Sequence, residues 1–229
     1  MCTLTDWLPL VSAVLTLLAI LVALFKDKFW AWAQRPRLSV RIKMQPPDCL
    51  SIPLMGQDPV TNQVLSIDAY YFRLWVENSG GQANNVQVFA NRLERDSGEG
   101  VYEEVPAFLP MSLKWSNMPD PPPPIYASAL HHKMGRHCDL GNIINFLNAL
   151  IAPNVLSASP SGDRCLKLAT EADPNAGSNR LPAGSYRLQL KIAGENAIPI
   201  TKVIRIDFDG SWRDDMSEMF TSAIRLVVL

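Results

Sequence analysis

An antiparallel β-sandwich preceded by one membrane-spanning helix is the fold class the sequence predicts, and three observations predict it. Trp7 to Phe25 is an uncharged run of nineteen residues closed by Asp6 and Lys26. After Pro36, seven or more short segments alternate apolar and polar side chains between clusters of Gly, Pro, Asn and Asp, the period of half-buried strands. Helical periodicity is confined to the two ends of the chain, which excludes the alternating βα pattern of a parallel sheet.

The run 7–25 comes first. At 1.5 Å per residue, nineteen residues make a helix about 28 Å long, close to the thickness of the hydrocarbon layer. MCTLTD carries no basic residue and Leu-Phe-Lys-Asp-Lys follows the run, so an uncleaved anchor is expected rather than a signal peptide. Residues 26–43 hold Lys26, Lys28, Arg35, Arg37, Arg41 and Lys43 against Asp27, a net of +5 in a chain whose total is −1. Basic residues beside a span stay on the cytoplasmic side. The expected placement is therefore single-pass in the inner (cytoplasmic) membrane with the C-terminal domain cytoplasmic, and with Lys26, Lys28, Trp30, Trp32, Arg35 and Arg37 at the lipid interface. Two units follow: 1–35, the span and its extension, and 36–229, the soluble domain.

Within that domain, Leu38, Val40, Ile42 and Met44 predict a strand closed by Pro46 and Pro47. A Pro-, Asp- and Gly-rich connection runs to about Ile67. AYYFRLWVEN (69–78) and NVQVFANRL (85–93) read as two strands of one hairpin, broken by Asn78-Ser79-Gly80-Gly81. VYEEV and AFLPMSLKW supply shorter β pieces, and the prolines of PDPPPP (119–124) favour an extended polyproline loop. LGNIINFLNALI is either a short strand or a helix, and CLKLAT is β-like. Residues 186–192 and 204–208 form a second strand pair around AGENAIP. Ser211, three residues before Asp214, predicts the start of a short amphipathic helix carrying Trp212, Met216, Met219, Phe220 and Ala223 on one face, with IRLVVL a final strand or a tail.

FRLWVENSGGQANNVQVFA (72–90) resembles the strand-Asn-x-Gly-strand pattern of immunoglobulin-like modules of bacterial surface and adaptor proteins. The whole chain is similar to uncharacterised bacterial proteins with one N-terminal span and such a domain. The resemblance implies an immunoglobulin-like sandwich without implying an activity. It lacks the Cys, Trp and Cys spacing of antibody-type domains, so it implies no inter-sheet disulfide. Cys49, Cys138 and Cys165 are odd in number and widely spaced, which suits a reducing compartment.

One stretch gathers chemistry. HHKMGRHCD places His131, His132, His137, Cys138 and Asp139 together, and imidazole with thiolate is the ligand set zinc prefers. No second ligand pair occurs at short spacing elsewhere, so no metal or other cofactor is expected, and a turn around Gly135 followed by a strand is the simpler reading. Cys138 beside His137 or Asp139 as nucleophile and base is disfavoured, because neighbours on a strand point to opposite faces. DFDGSWRDD fails the spacing of a calcium loop, since Gly210 falls too early. No basic patch interleaved with aromatics marks a nucleic-acid surface. The resulting expectation is a membrane-anchored interaction or scaffold module with no catalytic activity, whose partners are the lipid bilayer and a protein. The alternative is a membrane-tethered hydrolase or metal-binding protein using 131–139.

Overall fold

The computed structural model describes residues 8–57, 64–117, 125, 127–145 and 164–229. The chain divides into two units, 1–35 and 36–229. The first holds helix α1 (Leu8–Ala33). Among the described residues no helix is long and apolar enough to cross a membrane, which corrects the membrane-spanning helix expected over 7–25. The exposed large apolar side chains described on α1 run from Val11 to Phe25, with Trp30 beyond them. Ser12 and Thr16 interrupt them, the Thr16 hydroxyl donating back to the Ser12 carbonyl at 2.8 Å. Trp7, the side chains of Lys28 and Trp32, and the prolines 121–124 lie outside the described residues.

The second unit is built from two antiparallel sheets. In the first, β3 (Val64–Asn78) is central. Its C-terminal end pairs with β1 (Leu38–Arg41) and its N-terminal half with β2 (Cys49–Gln57), both along one edge. Along its other edge runs β8 (Met134–Ile144), followed by β9 (Leu166–Leu168) and β10 (Arg180–Leu181). Strand β2 replaces much of the connection expected up to Ile67. Pro53 sits inside it and is tolerated because β2 is an edge strand. Gly135, expected in a turn, is the second residue of β8; the turn lies one step earlier, with Lys133 at φ +57°.

In the second sheet, β4 (Ala83–Asp96) pairs along one edge with β11 (Gly184–Gly194), which continues to β12 (Ala197–Phe208) and β13 (Ile224–Val228). Along its other edge β4 meets three short strands in turn: β7 (Ala127–Leu130), β6 (Met111–Ser112) and β5 (Tyr102–Glu104). The segment after β6 leaves this sheet for the first one, bridging Leu113 to Thr170 and Trp115 to Cys138. One hydrophobic core serves both sheets, with Phe72, Leu74 and Leu140 from the first and Leu188, Leu190 and Ile204 from the second, all inaccessible to solvent.

β3 and β4 are not a hairpin. They belong to different sheets, and residues 78–82 cross between them as an arch. Asn78, wholly buried, holds the crossing. Its Oδ1 accepts from the N–H groups of Arg37 (3.0 Å) and Gly80 (3.1 Å), and its Nδ2 donates to the carbonyls of Gly81 (2.5 Å) and Leu130 (2.8 Å). A side chain with one acceptor and two donors saturated in this way fits a buried site without a desolvation penalty.

At the C-terminal end the expected helix is shorter and starts later. Helix α2 spans Met216–Glu218 and continues as a π-helical turn over Met219–Ala223 before β13. Asp215, not Ser211, caps it, accepting from the Glu218 N–H at 2.8 Å. Ser211 instead donates to Asp209. Phe220 packs edge-on against Phe72 and Tyr70 at ring distances of 5.8 and 5.4 Å, so the turn still delivers its apolar face to the core.

Candidate functional site

The outward face of the first sheet carries the only described constellation that includes His137 and Asp139. On β3 the alternation sends Phe72, Leu74 and Val76 inward and leaves Tyr71, Arg73, Trp75 and Glu77 half-buried on the outer side. On β8 the same alternation puts His137 and Asp139 outward and Cys138 inward. Pairing of Trp75 with His137 then brings the indole and imidazole together at 4.8 Å, edge to face. Trp75 lies across Gly135: a Cβ there would sit 2.5 Å from the indole Cε2. Its Nε1 donates to Glu77 at 3.1 Å, and the Arg41 guanidinium stands 5.6 Å from the ring centre.

The partner of His137 comes from a segment that the sequence did not single out. Asp48, whose side chain is 3% exposed, accepts from His137 Nε2 at 3.0 Å, from the Lys43 N–H at 2.9 Å and, at 3.5 Å, from Arg41. A carboxylate accepts only, so the hydrogen of that contact sits on Nε2. The 43–48 turn is thereby fastened to β8. Asp139 has a separate partner, the Ser116 hydroxyl, at 2.5 Å. Burial holds the Asp139 carboxyl above its ordinary range, opposed by the Ser116 hydrogen bond and by the charges of Arg73, His137 and Lys114.

Cys138 points away from both. It is wholly buried, its thiol donates toward the Lys114 carbonyl at 3.4 Å, and burial followed by the nearby Asp139 charge pushes it well above its usual value. That is the reverse of a thiolate nucleophile, which needs exposure and positive neighbours. Cys49 is likewise buried and pushed up to about 12, chiefly by desolvation. His131 and His132 sit in the β7–β8 turn, exposed, with His132 Nδ1 against the Gly80 carbonyl at 2.8 Å. The five residues considered for zinc are thus spread over a turn and two faces of a strand, each with its own neighbours. Among the described residues no group of three or more His, Cys, Asp or Glu side chains could hold a metal ion.

Beside Asp139 opens a cleft of about 390 Å³ whose lining includes Tyr71, Lys114, Asn142, Lys167 and Asp173. Lys167 donates to Asp173 at 2.7 Å, so two of its charges satisfy each other. Gly141 forms part of the lining because β9 passes close: a Cβ there would lie 2.3 Å from the Lys167 carbonyl oxygen. Of the interface residues expected around the helix end, Lys26, Trp30, Arg35 and Arg37 are exposed. Asp48 and Ser116 were missed by the sequence reading because their contacts with His137 and Asp139 form only through the pairing of segments distant in the chain. In comparison with known proteins, the chain matches no family model, no curated protein and no solved structure.

Proposed function

We propose that the chain is an interaction module attached to a lipid surface through helix α1, with the two-sheet body as the part that engages a protein partner. The observation that carries this reading is the exposure of the helix. Its large apolar side chains range from 41% exposed at Leu21 to 67% at Leu24. They cover more than half of the helix circumference, since Val11, Leu15, Leu18 and Val22 follow one stripe and Leu17, Ile20, Leu21 and Leu24 another, with Ser12, Thr16, Ala19 and Ala23 on the remaining face. An apolar face this broad is stabilised by an apolar surround, at about 25 cal/mol for each Å² removed from water. Attachment needs that burial in lipid and does not need a crossing. Binding rather than chemistry is supported by the commitments of His137, Cys138 and Asp139 to three different neighbours.

The test compares the full chain with residues 36–229, which form a unit with their own core, in flotation with phosphatidylcholine vesicles. The full chain is expected to float with the vesicles while the fragment stays in solution. Equal behaviour of the two would overturn the reading.

A further inference from the structure

We propose that the end of the β body where the chain enters from α1 is a contact surface for anionic lipid headgroups, a proposal that rests on the lipid-attachment reading above. Strand directions define two ends. The start of β1, the 78–82 arch, the β7–β8 turn and the β11–β12 turn meet at one of them, because Leu38 and Met134 both pair with Asn78, and the Glu195 N–H donates to the Asn84 carbonyl. Gln34 and Arg35 alone separate α1 from Pro36, a reach of about 10 Å, so attachment of the helix to a surface keeps this end close to it.

The charges of the two ends differ. At the entry end Arg37, His131, His132 and Lys133 are exposed, and Arg136 lies at the start of β8. Neither Arg37 nor Lys133 has an ion-pair partner among the described residues. The acids of this end are already engaged: Glu77 accepts from Trp75, and Glu195 from Asn85 Nδ2 at 2.6 Å. The turn is held in place, with the Lys133 N–H on the Asn78 carbonyl at 2.7 Å and the Ser79 N–H on the Arg37 carbonyl at 3.0 Å. The backbone that carries these cations is therefore already ordered, so only their side chains are left to settle on binding. At the far end, around the ends of β4 and β12, stand Asp96, Glu99, Asp207, Asp209, Asp214 and Asp215, with Arg95, Arg205, Arg213 and Arg225 as the nearby bases. A body polarised in this sense turns its basic end toward an anionic surface and its acidic end away from it.

The experiment uses the full chain with Cys2 replaced by Ser, so that the remaining cysteines, all buried, stay unlabelled. A nitroxide is attached at Ser79→Cys on the arch or at Ser97→Cys at the far end, and its relaxation by nickel chelated to lipid headgroups is measured. Vesicles are phosphatidylcholine alone or phosphatidylcholine with phosphatidylserine. The expected result is stronger relaxation at position 79 than at position 97, rising further at position 79 on the anionic vesicles. The double variant Arg37→Glu, Lys133→Glu is expected to bind anionic vesicles about tenfold more weakly and neutral ones unchanged. Equal relaxation at 79 and 97, or unaltered anionic binding by the double variant, overturns the proposal. Failure of the full chain to bind either vesicle removes the attachment reading itself.

Discussion

Replacing Asn78 with Ala removes the one side chain that ties the inter-sheet arch to both the chain entry and the β7–β8 turn. The size of the loss follows from its four hydrogen bonds. The bond to the Leu130 carbonyl is fully buried, and an acceptor stranded there costs about 1–3 kcal/mol. The bonds involving Arg37, Gly80 and Gly81 are only partly buried, so water replaces part of each, and together they add about 1 kcal/mol or slightly more. A total near 2–4 kcal/mol is a large share of the 5–15 kcal/mol that holds a domain together. Urea unfolding followed by tryptophan fluorescence measures it: with a slope of about 2 kcal/mol/M, the midpoint falls by about 1–2 M. Asn78→Asp is the companion variant. It keeps acceptors for the N–H groups of Arg37 and Gly80 but turns an acceptor, and a buried charge, toward two carbonyls, so it is expected to lose at least as much. A midpoint shift below about 0.3 M for Asn78→Ala, at unchanged slope, would refute the assignment of the arch to this residue.

Two further outcomes are expected. Gly135→Ala drives its new methyl into Trp75, so the indole leaves His137 and Glu77; the expected cost is about 1–3 kcal/mol, with a changed near-ultraviolet dichroism, and an unaltered spectrum would contradict the packing described. Asp139 is a pH-sensitive group. Its folded carboxyl is raised above the ordinary 3.8, so the folded state holds a proton the unfolded state has released, and stability drops as pH climbs from 3.8 through the raised value. Asp139→Asn keeps an acceptor for Ser116 and removes the buried charge. Its unfolding free energy is expected to exceed that of the original protein at pH 7 and to converge with it near pH 3; a gap independent of pH would rule out this account.

The strands that alternate strictly were readable from sequence alone. Phe72, Leu74 and Val76, and again Leu188, Leu190 and Ile192, are wholly buried where the pattern put them. What a strand pairs with was not readable. Asn78-Ser79-Gly80-Gly81 breaks a strand equally well for a hairpin or for an arch between sheets, and only the burial of Asn78 among non-local partners distinguishes the two. β2 escaped because Pro53 and Gly56 mask its alternation. The cap at Asp215 lost to Ser211 on paper, since both side chains offer an acceptor and local sequence does not say which one is already engaged. For the 131–139 stretch, the opposition of Cys138 to its neighbours followed from the two-residue period. Asp48 did not, because a turn 89 positions away reaches His137 only through the sheet.

The outer flank of β4 is divided among three partners, none more than four residues long. A foreign segment approaching that side meets interruptions instead of a continuous row of open amides and carbonyls, so runaway stacking of copies through it has no template. The same fragmentation commits little of the flank's cohesion to any single piece, which lets β5, β6 or β7 fray individually while the central strands hold.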